Sequence, residues 1–226
     1  MAEVLITLGI IGIVAAMTLP TVINNIRDKQ FKSMFKKQYS VMSQALQMLY
    51  AEDQTPQEFS DWREMPYYVC RLGEYLNAIQ SGLKCAEMAE SGDYQNFEGH
   101  RNTKVSWHKN GEWYNRKKEP QFLNEGYMFM TYYLADGAWV NFNATRTIFV
   151  DVNGRQKPNT IGRDIFYFYL PKNSGNNLTF FESNNANLNV NGSSGAAYWA
   201  TINRENYKED CESGSGWGCS PVYILD

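Results

Sequence analysis

The chain has 226 residues, with 21 basic and 24 acidic side chains and a formal net charge of −3. This charge balance provides no general basic field to neutralise phosphates, so the composition argues against a nucleic-acid-binding protein. The length allows one or two domains with buried cores, and we predict a single globular head.

The first 23 residues form a nearly continuous apolar run, with Glu3 at its leading edge and Pro20 near its end. From Val4 to Ile23 the run would extend about 30 Å as an α-helix, enough to cross the apolar core of a bilayer. A cleaved secretory signal peptide is not expected, because no Lys or Arg precedes Arg27. The sequence therefore predicts an apolar stalk followed by a more polar head.

A second stretch continues the predicted helix beyond Pro20 as far as about Asp53. Its apolar residues recur at steps of three and four, namely Phe31, Met34, Phe35, Met42, Ala45, Leu46 and Leu49. This spacing places them on one helix face, which we expect to pack onto the head. The basic residues of the stretch are Arg27, Lys29, Lys32, Lys36 and Lys37. By the positive-inside rule, this basic flank should lie on the cytoplasmic side of a membrane.

The segment AEVLITLGIIGIVAAMTLPTVI resembles the prepilin-type cleavage and methylation region of type IV pilins and of the pseudopilins of type II secretion. The resemblance covers Ala2 to about Ile26 and rests on the spacing of Glu3, Gly12 and Pro20. Members of the family lose a leader peptide that precedes an N-methylated Phe. Aligned on these three residues, the chain carries neither feature and is expected to start two residues late.

The resemblance implies an α+β, pilin-like fold, in which a long N-terminal α-helix packs on an antiparallel β-sheet head with a loop-rich, disulfide-stapled C-terminal region. Residues 1–26 would form the transmembrane or filament-core helix, and residues 27–226 the head with the amphipathic half of the helix. The implied function is that of the major pilin, the polymerising subunit of an extracellular type IV pilus. The alternatives are a pseudopilin or minor pilin of a type II secretion system, and a membrane-tethered binding protein.

Partners and location also follow from the resemblance. Before assembly the chain would lie in a bacterial inner membrane, where a prepilin peptidase and the assembly machinery would act on it. It would then join a homo-oligomeric helical filament, as an extracellular pilus or a periplasmic pseudopilus. Both locations place the basic flank outside the cytoplasm, against the positive-inside rule. We expect its side chains to be solvated or to line the filament, and a lipid-binding cluster is the alternative.

Three residues of the stalk are candidates for assembly roles. A charged acid such as Glu3 costs roughly 2.5–3.5 kcal/mol or more near the bilayer midplane unless it is paired. The resemblance implies that it pairs with the N-terminal amine of a neighbouring subunit; a Glu3 that faces lipid headgroups is the alternative. Gly12 and Pro20 weaken the helix between them. We expect this part to melt locally in an assembled filament, or else to kink at Pro20.

The head shows one readable β region between two irregular ones. A helix is predicted over Trp62–Ile79 and a strand over Thr103–His108. Aromatic and β-branched runs from Gly126 to Leu170, separated by turn residues, predict an antiparallel meander. From Pro171 onwards the composition predicts loops, with a flexible insertion around Ser183–Gly195. We expect the aromatic and polar residues of Asn173–Trp199, among them Phe180, Phe181, Tyr198 and Trp199, to lie on an outer, contact-making surface. The alternative is a flexible spacer without a role in binding.

The four cysteines indicate a compartment outside the cytoplasm, where disulfides persist. Three connectivities are open. We predict the local pairs Cys70–Cys85 and Cys211–Cys219, because each closed loop would staple a segment with little regular structure. The second loop, CESGSGWGC, resembles the C-terminal disulfide region of many pilins. A structural zinc site is not expected, since no CxxC pair accompanies the two histidines, His100 and His108.

The motif DVNGRQKPNTIGRD offers hard oxygen ligands at Asp151, Asn153 and Asp164, as a calcium-binding loop would. An EF-hand would place a bidentate Glu where Gly162 stands. The alternative is a structural turn between two strands. No other cofactor is expected.

No catalytic motif is present: there is no P-loop, no HExxH and no GxSxG, and no nucleophile is placed to pair with either histidine. We therefore predict that the protein is not an enzyme.

Overall fold

The computed structural model describes residues 2–52, 65–80, 112–121, 128–143, 147–170, 177–181, 202 and 204–226. Its elements, in chain order, are α1 (Ala2–Ala51), α2 (Met65–Glu74), β1 (Ala78–Gln80), β2 (Met128–Leu134), β3 (Trp139–Asn143), β4 (Thr147–Asp151), β5 (Ile165–Tyr169), α3 (Tyr207–Ser213) and α4 (Cys219–Leu225). The predicted strand at 103–108 and the predicted insertion around 183–195 lie outside these residues.

Helix α1 is continuous over 50 residues and includes Pro20 in its interior. Its second half buries Phe31, Phe35, Gln38, Met42, Ala45, Leu46 and Leu49. The predicted apolar stripe is therefore confirmed, except that Met34 is only partly buried and that the polar Gln38 joins the buried face. One helix thus consists of an unburied apolar half and an amphipathic half that packs on the head.

The five strands form one antiparallel sheet in the order β1-β2-β3-β4-β5, which confirms the predicted meander. Strands β2 and β3 are joined by a turn at Asp136-Gly137, where Gly137 has a φ of 90° that favours glycine. Every residue of β4 and β5 is buried. These two strands therefore have a packed layer on each face.

Alternate side chains of β5 point into the two layers. On one face Phe166 stacks on Phe35 of α1, with ring centroids 4.2 Å apart. On the other face the ring of Tyr167 lies 5.6 Å from that of Trp217. This two-residue alternation places the sheet between α1 and the C-terminal segment, residues 204–226.

The C-terminal segment is more ordered than the loop-rich tail that the sequence predicts. It contains α3 and α4, and the turn between them is held by Asp210. The Asp210 carboxylate accepts hydrogen bonds from the main-chain N–H groups of Ser215, Gly216 and Gly218. Trp217 lies within this turn and is 1% exposed, so the tail contributes directly to the core.

Helix α2 is shorter than predicted. It ends at Glu74, and Ala78–Gln80 forms the edge strand β1, so the predicted continuation of the helix to Ile79 is wrong. Near its end, Gly73 packs so closely on β2 that a Cβ there would overlap the ring of Tyr132. The Tyr132 hydroxyl donates a hydrogen bond to the Val69 carbonyl at 3.1 Å. Tertiary packing against β2 thus determines how far α2 extends.

Candidate assembly surface

The first half of α1 exposes large apolar side chains on all sides. They are 50–74% exposed and comprise Val4, Leu5, Ile6, Leu8, Ile10, Ile11, Ile13, Val14, Met17, Leu19, Val22, Ile23 and Ile26. An 18-residue window of this helix is long and apolar enough to cross a membrane, and none of it is buried in the protein. This half of α1 is therefore not a core element of the head. It is consistent with a membrane anchor or a signal sequence.

Glu3, Gly12 and Pro20 all lie on this exposed half, at its beginning, middle and end. The structure does not bring them together, because they are spread along about 25 Å of one helix. Around Gly12 nothing lies within 4 Å of the position that a Cβ would take. Packing within the described chain therefore gives no reason for a glycine there, and the roles of the three residues in assembly remain predictions.

Two polar clamps hold the amphipathic half of α1 in a defined position on the head. In the first, Arg163 between β4 and β5 donates to the Asp28 carboxylate at 2.6 Å and to the Asn24 side-chain oxygen at 3.3 Å. In the second, Lys37 and Gln38 each donate to the Asp136 carboxylate at 2.6 Å. Both clamps join α1 to loops between strands.

The Asp136 carboxyl is the better shielded of the two acids. Its burial would raise the pKa, but the hydrogen bonds from Lys37, Ala138 and Gln38 outweigh burial and lower the pKa below the ordinary value. The carboxylate therefore stays ionised and accepts from three donors at once.

These clamps carry no signal in the amino-acid sequence. Asp28 and Arg163 are separated by 135 residues, and Lys37 and Asp136 by 99. Each residue taken singly is typical of a solvated surface position. Only the folded arrangement pairs them.

The predicted calcium ligands lie at the two ends of the β4–β5 loop, which forms the expected turn. Asp151 and Asp164 are both fully buried, and the Val152 N–H donates to the Asp164 carbonyl at 2.9 Å. Burial raises the pKa of Asp151 well above its ordinary value. Burial and the neighbouring Asp151 together raise the pKa of Asp164 to about 7. The structure therefore brings two of the three predicted ligands close together.

The hydrogen bonds of this loop are those of a structural turn. The Asp164 carboxylate accepts from the N–H groups of Asn159 and Thr160 at 2.8 and 2.6 Å, and Asp151 accepts from the N–H of Asn153 at 3.1 Å. The side-chain amide of Asn153 donates to the Gln156 carbonyl at 2.8 Å. Among the described residues, no group of three or more His, Cys, Asp or Glu side chains is placed to hold a metal. Calcium binding thus stays a prediction.

Gly162, which stands where an EF-hand would have its Glu, has a different role. Its φ is 74°, and a Cβ there would overlap the Gly216 carbonyl of the C-terminal turn. This position requires a glycine because the β4–β5 loop and the C-terminal turn approach closely.

One of the two predicted disulfides is confirmed. Cys211 and Cys219 are bonded, and join α3 to the start of α4. Cys70 is also disulfide-bonded, but Cys85 lies outside the described residues, as do both histidines.

The predicted contact surface at 173–199 is partly wrong. Phe180 and Phe181 are 3% and 7% exposed and belong to the core. The ring of Phe180 stacks on Tyr39 of α1 at 5.7 Å, and that of Phe181 contacts Tyr207 of α3 at 5.7 Å. The residues around them are rich in Asn, which is typical of loops, so the sequence gives no indication that Phe180 and Phe181 are buried. Tyr198 and Trp199 lie outside the described residues.

The chain was compared with known protein-family models, curated proteins and solved structures, and it matches none of them. The pilin resemblance of residues 2–26 is therefore an expectation drawn from three residues and the apolar run around them.

Proposed function

We propose that this chain is a structural subunit of a type IV filament, most simply the major pilin of an extracellular pilus. The observation that carries the proposal is the continuous helix α1, whose first half is apolar and exposed on all sides while its second half is built into a folded head. An apolar helix of this length has no stable exposed state in water. It requires a bilayer, or copies of itself, as its surroundings.

The apolar half of α1 can be buried first in a bilayer and then among copies of itself. Its apolar surface matches a bilayer before assembly and matches identical helices in a filament core afterwards. The open surface around Gly12 would allow a neighbouring helix to approach closely, as small residues do in packed membrane helices. A buried Glu3 would need a positive partner, and such a buried pair sets register more reliably than it adds stability.

The rigid junction between stalk and head supports a repeating assembly. The aromatic contact of Phe35 with Phe166 and the clamps at Asp28 and Asp136 fix the orientation of the head on α1. Identical subunits can form a regular helix only if each has the same orientation of its parts. The Cys211–Cys219 disulfide agrees with a head that lies outside the cytoplasm.

The test is expression of the full chain, with a prepilin leader, in a bacterium that carries a type IV pilus assembly system but lacks its own major pilin. Electron microscopy of sheared fibres labelled with antibody against the head measures incorporation. We expect labelled fibres from the native chain and few or none from Glu3→Ala.

The matched control is Glu209→Gln, which removes an equal charge from an exposed position of the head. It should leave fibre yield unchanged. If the native chain stays in the membrane as a monomer and Glu3→Ala behaves identically, the protein is a membrane-tethered head and the filament proposal is wrong.

A further inference from the structure

The five basic residues of α1 do not form one cluster in the folded protein. Lys37 is bound to Asp136 at 2.6 Å, and the amine of Lys32 lies 4.6 Å from the centre of the Tyr223 ring. Arg27, Lys29 and Lys36 are exposed, and none of them takes part in an ion pair with the described residues. The described residues of the head therefore contact two of the five basic side chains and leave Arg27, Lys29 and Lys36 for another partner.

The one acid among these residues is already neutralised. Asp28 is the only acidic residue between Glu3 and Glu52, and it lies between Arg27 and Lys29. Its carboxylate pairs with Arg163 of the head at 2.6 Å. Because Arg163 of the head neutralises Asp28, the positive charges of Arg27 and Lys29 are not cancelled. This part of α1 therefore has a net positive charge that would attract an anion.

The distance from the apolar run places Arg27 within the lipid headgroup layer and Lys29 at its outer edge. If Val4–Ile23 spans the apolar core, Arg27 and Lys29 lie about 6 and 9 Å beyond its edge along the helix. The headgroup layer occupies roughly 5–8 Å on each side of a bilayer. Successive helical residues are 100° apart, so these two side chains project to opposite sides of α1. Lys36, about 10 Å further along the helix, lies beyond the headgroups.

Topology alone does not account for this basic flank. The positive-inside rule would place it in the cytoplasm, whereas the Cys211–Cys219 disulfide indicates that the head, and the flank with it, lies outside. A basic flank on the outer side gives no help to insertion in the required orientation. Binding of an anionic partner on that side would give the basic flank a function.

We propose that Arg27 and Lys29 form a collar that binds anionic phospholipid headgroups in the leaflet on the head side, before the subunit is assembled. The guanidinium of Arg27 presents paired N–H donors that match phosphate oxygens, and Lys29 adds a point charge on the opposite side. Arg163 keeps Asp28 from competing with the lipid. The collar holds the stalk at a fixed depth in the membrane. This inference rests on the membrane-inserted stage of the proposed function and is independent of filament formation.

The experiment measures lipid selectivity around the full chain reconstituted in phosphatidylcholine vesicles. Trace phosphatidylglycerol or phosphatidylcholine, spin-labelled near the end of one acyl chain, reports by electron spin resonance the fraction of lipid in contact with the protein. Since a basic residue close to a membrane surface strengthens association with anionic lipid about fivefold, we expect a preference for phosphatidylglycerol of at least about fivefold. Arg27→Gln/Lys29→Gln should reduce the ratio to near one.

A matched control shares the chemistry but not the position. Lys36→Gln changes the same residue type on the same helix face as Lys29→Gln, about 10 Å further from the membrane. That distance exceeds the Debye length of about 8 Å at physiological ionic strength, so Lys36→Gln should keep the native ratio.

Equal loss of selectivity in Lys29→Gln and Lys36→Gln would overturn the collar, because it would reflect net charge alone. So would an absence of selectivity in the native chain. If in addition Arg27→Gln/Lys29→Gln lowers fibre yield, the two side chains contact neighbouring subunits instead. Flotation of the vesicles separates this result from a failure of the proposed function: a chain that floats without selectivity refutes only the collar, whereas a chain that does not associate with vesicles refutes the membrane stage as well.

Discussion

Arg163 donates from its Nε to the Asp28 carboxylate at 2.6 Å, and so ties the β4–β5 loop to the stalk helix. The next residue, Asp164, is buried and accepts two main-chain N–H groups of the same loop. The order of the loop and the position of the stalk are therefore connected through adjacent residues. This connection makes the β4–β5 loop a structural part of the junction between stalk and head.

The two clamps should differ in their contribution to stability. Asp28→Asn removes a partly exposed ion pair and should lower the free energy of unfolding by less than about 1 kcal/mol. Asp136→Ala leaves the buried amide of Gln38 without its acceptor and should cost about 1–3 kcal/mol. Urea unfolding of the detergent-solubilised chain, followed by tryptophan fluorescence, measures both. A larger loss for Asp28→Asn than for Asp136→Ala would reverse our ranking of the clamps.

Alanine substitutions at Gly73 and Gly9 should differ in their effect on the stability of the head. Gly73→Ala forces Tyr132 away from α2 and should destabilise the head by about 1–3 kcal/mol, the usual cost of overpacking a core. Gly9→Ala, in the exposed half of α1, meets nothing within 4 Å and should leave head stability unchanged. Thermal unfolding by circular dichroism compares the two. An unaffected Gly73→Ala variant would show that Tyr132 can move freely.

Loss of the C-terminal disulfide should affect the sheet as well as the tail. The closed loop is short, so Cys211→Ser/Cys219→Ser should remove roughly 2.5–3 kcal/mol. Trp217 lies inside this loop and packs on Phe149 and Tyr167 of the sheet. We therefore expect one cooperative transition at lower denaturant concentration. Separate transitions of tryptophan fluorescence and far-ultraviolet circular dichroism would instead indicate a tail that unfolds alone.

The buried carboxyls predict an unusual dependence of stability on pH. An unfolded Asp ionises near pH 4, whereas the pKa of Asp164 in the fold is about 7. Between these values the folded state binds more protons, so the contribution of Asp164 is full below about pH 4 and is lost as the pH rises to about 7. The slope for one such proton is about 1.4 kcal/mol per pH unit. Asp164→Asn should remove it, and parallel profiles of the native and variant proteins would contradict the assignment.

The calcium prediction can be tested on the same loop. A cation bound between Asp151 and Asp164 would favour their ionised forms and stabilise the fold above pH 7. The native chain should then gain thermal stability in about 5 mM Ca²⁺, and Asp151→Asn should not. The control Glu209→Gln should respond like the native chain. No calcium-dependent shift in the native protein would leave the structural turn as the sole role of the motif.

Local sequence patterns were sufficient to predict the helices and strands in which apolar residues recur with a fixed period. The apolar run before Pro20, the stripe from Phe31 to Leu49 and the alternating strands of the meander are each encoded by neighbouring residues. The Cys211–Cys219 pair also follows from a short separation in the chain. These features depend on periodicity or proximity, and both can be read from a single sequence.

Contacts between distant segments decided the rest. Trp217 and Phe180 lie in segments whose glycine, serine and asparagine content predicts loops, yet both rings are buried because the sheet and α1 leave space for them. The Asp28–Arg163 pair joins residues that are each ordinary surface positions when considered alone. The N-terminal sequence by itself determined that an apolar stalk exists. Only the tertiary structure decided how that stalk is held, because its clamps bring together residues about 100 or more positions apart.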